Sequence, residues 1–184
     1  MRPSLASPDS PDRPPEGQDE SGSTEAGDVS QRSKRRIGIA WFLVATWTAV
    51  VWTLGGDEFS LAETSKRMSS IIEWIFGDID GRRKWRIFLI IRKSAHFVEY
   101  AILALLTFRA ALLSAPRNQF ATAPWLALFL VATLATADEA RQAFSTARSG
   151  SPYDVLIDVT GGVVAVLGLL LITRRMRRTQ VATS

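Results

Sequence analysis

Residues 37–54, IGIAWFLVATWTAVVWTL, are 18 consecutive residues without a charge. That is just long enough to cross the hydrocarbon core of a bilayer as a helix, which takes about 20 residues. Three more apolar stretches follow, at 87–113, 124–137 and 153–173. The chain is therefore expected to be all-α, a membrane bundle of four transmembrane helices. No internal repeat is visible.

The composition hides this pattern. Apolar residues make up 47 % of the 184-residue chain, an ordinary share for a soluble protein. Two unlike parts produce that average. Residues 1–36 hold five of the eight prolines, seven serines and 13 charges. So little apolar surface does not offset the entropy of ordering a chain, and 1–36 is expected to be a disordered cytoplasmic tail. It is not expected to be a signal peptide, because no basic region leads directly into an apolar one. A basic tail, 174–184, follows the last span.

The same counts exclude several chemistries. Zero cysteine removes disulfide scaffolds, thiol catalysis, iron–sulfur clusters and cysteine-ligated zinc. His96 is the single histidine, so no multi-histidine metal site can form. No metal and no cofactor are expected. The net charge of +4 does not indicate nucleic acid. The basic residues flank apolar runs, where membrane proteins keep them, and lack stacking aromatics beside them.

Local signals mark the boundaries. Trp41, Trp47 and Trp52 are candidate interface anchors, and Gly55-Gly56 breaks the first helix. Between spans one and two, Met68, Ile71, Ile72 and Ile75 recur at helical spacing among polar residues. A short amphipathic helix is expected there, either on the membrane surface or packed on the mouth of the bundle. Gly77–Lys84 is expected to be a turn. Pro124 opens the third span, which runs without a break into Asp138 and Glu139.

Four spans put both termini on one side. Lys34–Arg36 and Arg174–Arg178 abut spans, and the positive-inside rule places both termini in the cytoplasm. The eight Lys/Arg of the 55–93 connection pull against that orientation. Spans two and four then start on the outer face and span three ends there. His96, Glu99, Asp138, Glu139, Gln142, Asp154 and Asp158 thus fall at one depth.

Helical spacing sharpens the cluster. Lys93, His96 and Tyr100 share a face, as do Asp138 with Gln142, and Asp154 with Asp158 and Gly161. Gly161-Gly162 permits close helix approach. An ionised group costs about 2.5–3.5 kcal/mol at the bilayer centre on insertion scales. The acids therefore need partners, and Lys93, Arg141, Arg148 and protonated His96 are available. Such pairs can serve simply to fix the bundle. The number of ionisable groups exceeds what four spans need, which favours a functional site. Arg148, in the turn-rich Ser145–Pro152 loop, can fork onto a phosphate or a carboxylate.

Two blocks carry a family likeness. RKSAHFVEYAILALL (Arg92–Leu106) and DEARQAFSTARSGSPYDVLIDVTGG (Asp138–Gly162) resemble the signature blocks of the VanZ-like family of bacterial membrane proteins. The first has the Arg-Lys-x-x-His-Phe-x-x-Tyr core. The second has Asp-Glu-x-x-Gln, an arginine, then Asp-x-x-x-Asp and a glycine. With the four-span layout the likeness extends across 37–173. Members often have histidine where this chain has Arg141, and Pro-Gly where it has Thr146-Ala147. The resemblance implies Lys93, His96, Tyr100, Asp138, Glu139, Gln142, Arg148, Asp154, Asp158 and Gly161 as the shared polar and glycine positions. It also implies a bacterial cell-membrane location and a link to teicoplanin resistance.

Three functions compete. The first is a modulating or binding membrane protein whose outer-face pocket takes an envelope lipid or a glycopeptide-type ligand. The second is an enzyme on a lipid-linked phosphate, with His96 as acid/base and Asp138 or Glu139 orienting it or binding a divalent ion. Ser94, Ser145 and Ser149 are its nucleophile candidates. The third, proton or ion transport, requires a homo-oligomer, since four short spans enclose no path alone. Membrane lipids are the expected partners in every case.

Overall fold

A computed structural model describes residues 19–56, 61–115, 120–144 and 151–182. They form five α-helices and no strand: α1 (Asp19–Leu54), α2 (Leu61–Phe76), α3 (Gly81–Ser114), α4 (Ala123–Ala143) and α5 (Pro152–Ala182). A single 3-10 turn, Phe120–Thr122, leads into α4. Four stretches are long and apolar enough to cross a membrane: Ser30–Leu54, Gly81–Ser114, Ala123–Ala143 and Pro152–Met176. These correspond to the four expected spans, with the short fifth helix between the first two.

The ends differ from expectation in three places. α1 begins at Asp19, so 19–36 is helical rather than disordered, while 1–18 lies outside the described residues. Extending an existing helix adds one hydrogen bond per residue, and the Ala, Glu, Gln, Lys and Arg of 25–36 suit it. α3 starts at Gly81, so Gly81–Lys84 belongs to the helix and not to a turn. Likewise α5 continues past Thr173 to Ala182, through most of the basic tail.

The chain divides into two contact units, 1–36 and 37–184. Within the second, α3 packs most extensively on α5 and next on α4. Small side chains allow this. α4 buries Ala123, Ala127, Val131 and Ala135, one every fourth residue, along a single stripe. Gly161 of α5 meets the backbone of α3 at the Phe97 carbonyl, and Gly162 meets Val131 of α4. The glycine pair thus does what its spacing predicts, with one residue for each neighbour.

The 37–54 part of α1 lies against α3 through side chains. Ala40, Val44 and Val51 are buried. The Trp47 indole N–H donates to the Glu99 carbonyl oxygen at 2.9 Å. Trp41 donates to the Ser114 hydroxyl at 2.9 Å, near the other end of α3. These tryptophans tie helix to helix, a role their sequence positions alone did not reveal.

α2 touches the rest at few points. Ile72 is buried, and Lys84 of α3 bonds Glu73 at 2.6 Å. Ile71, Trp74, Ile75 and Phe76 stay exposed, Trp74 by 86 %. Of the two placements considered for an amphipathic helix here, packing against the bundle uses only one apolar side chain among the described residues.

Candidate functional site

The first half of α3, the end of α4 and the start of α5 converge at one end of the bundle. Contacts between distant positions fix this. Lys93 Nζ lies 2.5 Å from Asp154 Oδ1. The backbone N–H of Ser151, one residue before α5, donates to Glu139 Oε2 at 2.7 Å. His96 Nδ1 lies 3.9 Å from Asp158 Oδ1 and 4.0 Å from Glu99 Oε2. The polar residues of three helices therefore sit at one depth.

The face Lys93–His96–Tyr100 is turned toward α5, and the face Asp154–Asp158–Gly161 meets it. Register explains the match: Gly161 rests on Phe97, so Asp158 and Asp154, three and seven residues earlier, align with His96 and Lys93. Burial grades along the face. Lys93 and Asp154 are partly exposed, His96 less so, and Asp158 and Tyr100 are buried at 1 % and 0 %.

α4 supplies a second group. Both Asp138 oxygens are occupied: Arg141 Nη2 donates to Oδ1 at 2.6 Å and Gln142 Nε2 to Oδ2 at 2.7 Å. Arg141 also covers the Trp52 ring at 4.3 Å from its centroid. The carboxylate and the indole together hold the guanidinium, and α1 is thereby tied to α4. Gly55 closes this corner. A Cβ there would lie 2.5 Å from Asp138 Oδ1 and 2.6 Å from Arg141 Nη2. The sequence marked Gly55 only as a helix breaker. Its absent side chain is what lets the α1 terminus approach the ion pair.

Between α3 and α5 a cleft of ≈ 50 Å³ opens, lined by Leu89, Arg92, Lys93, His96, Asp154, Ile157 and Asp158. One water needs about 10–15 Å³, so the cleft admits a few waters or one compact polar group. Asp158 Oδ1 is buried beside it with no hydrogen-bond partner among the described residues. The same holds for the hydroxyls of Tyr100 and Thr107. A second void of ≈ 10 Å³ lies between Tyr100, Asp138, Trp52 and Leu134. Tyr100 thus stands between the two polar groups.

Arg148, Ser145 and Ser149 lie outside the described residues. Asp154 is bonded by Lys93, and Asp138 by Arg141 and Gln142. Ser94 is exposed on α3 and does not share the His96 face. Among the described residues no three His, Asp or Glu side chains converge to hold a metal ion.

The family model described as VanZ/LLP1 matches residues 39–173, the whole region that carries this geometry. No curated protein and no solved structure matches the chain.

Proposed function

Because this multi-pass membrane protein belongs to the VanZ/LLP1 family, we propose that its α3–α5 cleft binds the phosphate-bearing head of a cell-envelope lipid at the outer face. The observation that carries this reading is the cleft's polarity gradient. Arg92 and Lys93 line it together with His96, and Lys93 lies on the solvent-accessible side of the buried Asp158. Cationic donors at headgroup depth suit an anionic oxygen group. A volume of ≈ 50 Å³ fits such a group and not the body of a glycopeptide. Arg148, which lies outside the described residues and precedes α5 in sequence, is proposed as a further donor to the same head.

Native mass spectrometry of the full chain in gentle detergent tests this. The wild type is expected to carry an envelope lipid that Lys93→Ala and Arg148→Ala lose while remaining folded. A folded wild type with no bound lipid overturns the proposal.

One observation favours a second reading. His96 lies between two carboxylates, the setting of an acid/base imidazole. The protein would then hydrolyse a lipid-linked phosphate, with Glu99 and Asp158 beside the imidazole in place of the expected Asp138 and Glu139, which are engaged by Arg141, Gln142 and the Ser151 N–H. Phosphate release from polyprenyl phosphates, abolished by His96→Ala, would establish it. No release from any of them, with or without divalent ions, removes it.

A further inference from the structure

A second surface lies away from the cleft, where α2 turns into α3. Arg82, Arg83 and Arg86 make no salt bridge among the described residues, whereas Lys84 is engaged by Glu73. Asp78 and Asp80 offset two of the four positive charges of 82–86, so the segment is net cationic. Arg82, Trp85 and Arg86 share a face at i, i+3 and i+4. With Gly81 they line an open hollow of ≈ 550 Å³. Gly81 leaves space there, since a Cβ on it would meet nothing within 4 Å. Trp85 is 49 % exposed.

Beside it, α2 presents Ile71, Trp74, Ile75 and Phe76 to the outside. An exposed face of that size needs cover, and its surroundings indicate which. α3 carries the hollow directly into a membrane span. Arginines and an indole next to an apolar helix face are complementary to anionic headgroups above acyl chains. Basic residues in the first turn of a helix also work against its dipole, a conflict that a nearby phosphate relieves.

We infer that the α2–α3 elbow binds an anionic phospholipid of the surrounding bilayer. Arg82 and Arg86 hold the headgroup phosphate, Trp85 sits at headgroup depth, and the exposed face of α2 enters the acyl region of the same leaflet. This site is separate from the α3–α5 cleft and shares no residue with it.

The chain has no cysteine, so one introduced thiol gives one label. The full-length protein carrying Trp74→Cys is spin-labelled and reconstituted in phosphatidylcholine vesicles containing phosphatidylglycerol. The label is expected to be accessible to oxygen and shielded from a water-soluble nickel relaxant. Equal exposure to the nickel reagent and to an aqueous-loop control overturns the inference. In native mass spectrometry, Arg86→Gln is expected to lower retained phosphatidylglycerol about fivefold. Arg83→Gln removes the same charge outside the hollow and is expected to leave retention within about twofold. Equal losses in the two variants, or none in Arg86→Gln, overturn it.

Discussion

Gly161 of α5 rests on the main chain of Phe97 in α3, with no room for a Cβ between them. The contact fixes the register of the two helices that carry most of the polar cleft. Gly161→Ala is expected to lower stability by about 1–3 kcal/mol, the usual cost of forcing extra carbon into a packed interface. Gly168, farther along the same helix, has open space where a Cβ would sit, with nothing within 4 Å. Gly168→Ala is therefore expected to leave the melting temperature in detergent unchanged or raise it, since alanine favours the helix. Thermal unfolding of the two variants side by side checks the pair.

Gly55 plays the corresponding part for α1. An alanine there would press on both Asp138 and Arg141. Gly55→Ala is expected to separate the ion pair and leave a buried carboxylate without its partner, at about 1–3 kcal/mol. The Trp52 ring would lose its guanidinium at the same time. A changed Trp52 fluorescence signal, read against Trp52→Phe, reports the separation independently of stability.

The Lys93–Asp154 pair is short but partly exposed, 43 % and 38 % for the two side chains. Exposed pairs contribute about 0–1 kcal/mol. A double-mutant cycle with Lys93→Ala and Asp154→Ala should give a coupling below about 1 kcal/mol. Lys93→Ala should therefore unload lipid from the cleft with little loss of stability, which separates ligand binding from bundle integrity.

Asp158 behaves oppositely. Its side chain is buried and Oδ1 lacks a hydrogen bond among the described residues. Asp158→Asn keeps the shape and removes the need to bury a charge. The variant is expected to be as stable as the wild type or more so, with retention of the anionic lipid undiminished. A clear drop in melting temperature would show that the carboxylate is chiefly structural.

The docking of α2 should depend on pH. The hydrogen bond from Lys84 holds the Glu73 carboxyl below its ordinary value of 4.5. A depressed carboxylate contributes stability above its unfolded pKa and loses it as pH falls through the folded one. Protection of α2 amides from hydrogen exchange, corrected for intrinsic rates, should therefore weaken below pH 4.5. Glu73→Gln should match the acid behaviour at neutral pH.

The spans were legible in the sequence because hydrocarbon imposes one requirement, an apolar run of fixed length. Helix spacing and span order put His96 and Asp158 at one depth, but that they approach each other to 3.9 Å is seen only once α5 is docked on α3. Other features depend on a partner that spacing does not name. The Trp47 bond to the Glu99 carbonyl uses backbone, which carries no sequence signal. Gly55 looks like any terminal glycine until Asp138 is placed beside it. The early start of α1 at Asp19 reflects helix propagation, which overrides a polar composition once the apolar part has nucleated.

The cleft draws its residues from α3 and α5, and α4 reaches the start of α5 through Glu139 and Ser151. During synthesis α3 and α4 leave the ribosome before α5, carrying Lys93 and Glu139 without the partners α5 brings. Only α5 brings Asp154, Asp158 and the Ser151 amide to them. α5 is thus the keystone of the bundle. A chain stalled before it exposes bare charge to lipid, which distinguishes an unfinished molecule from a finished one.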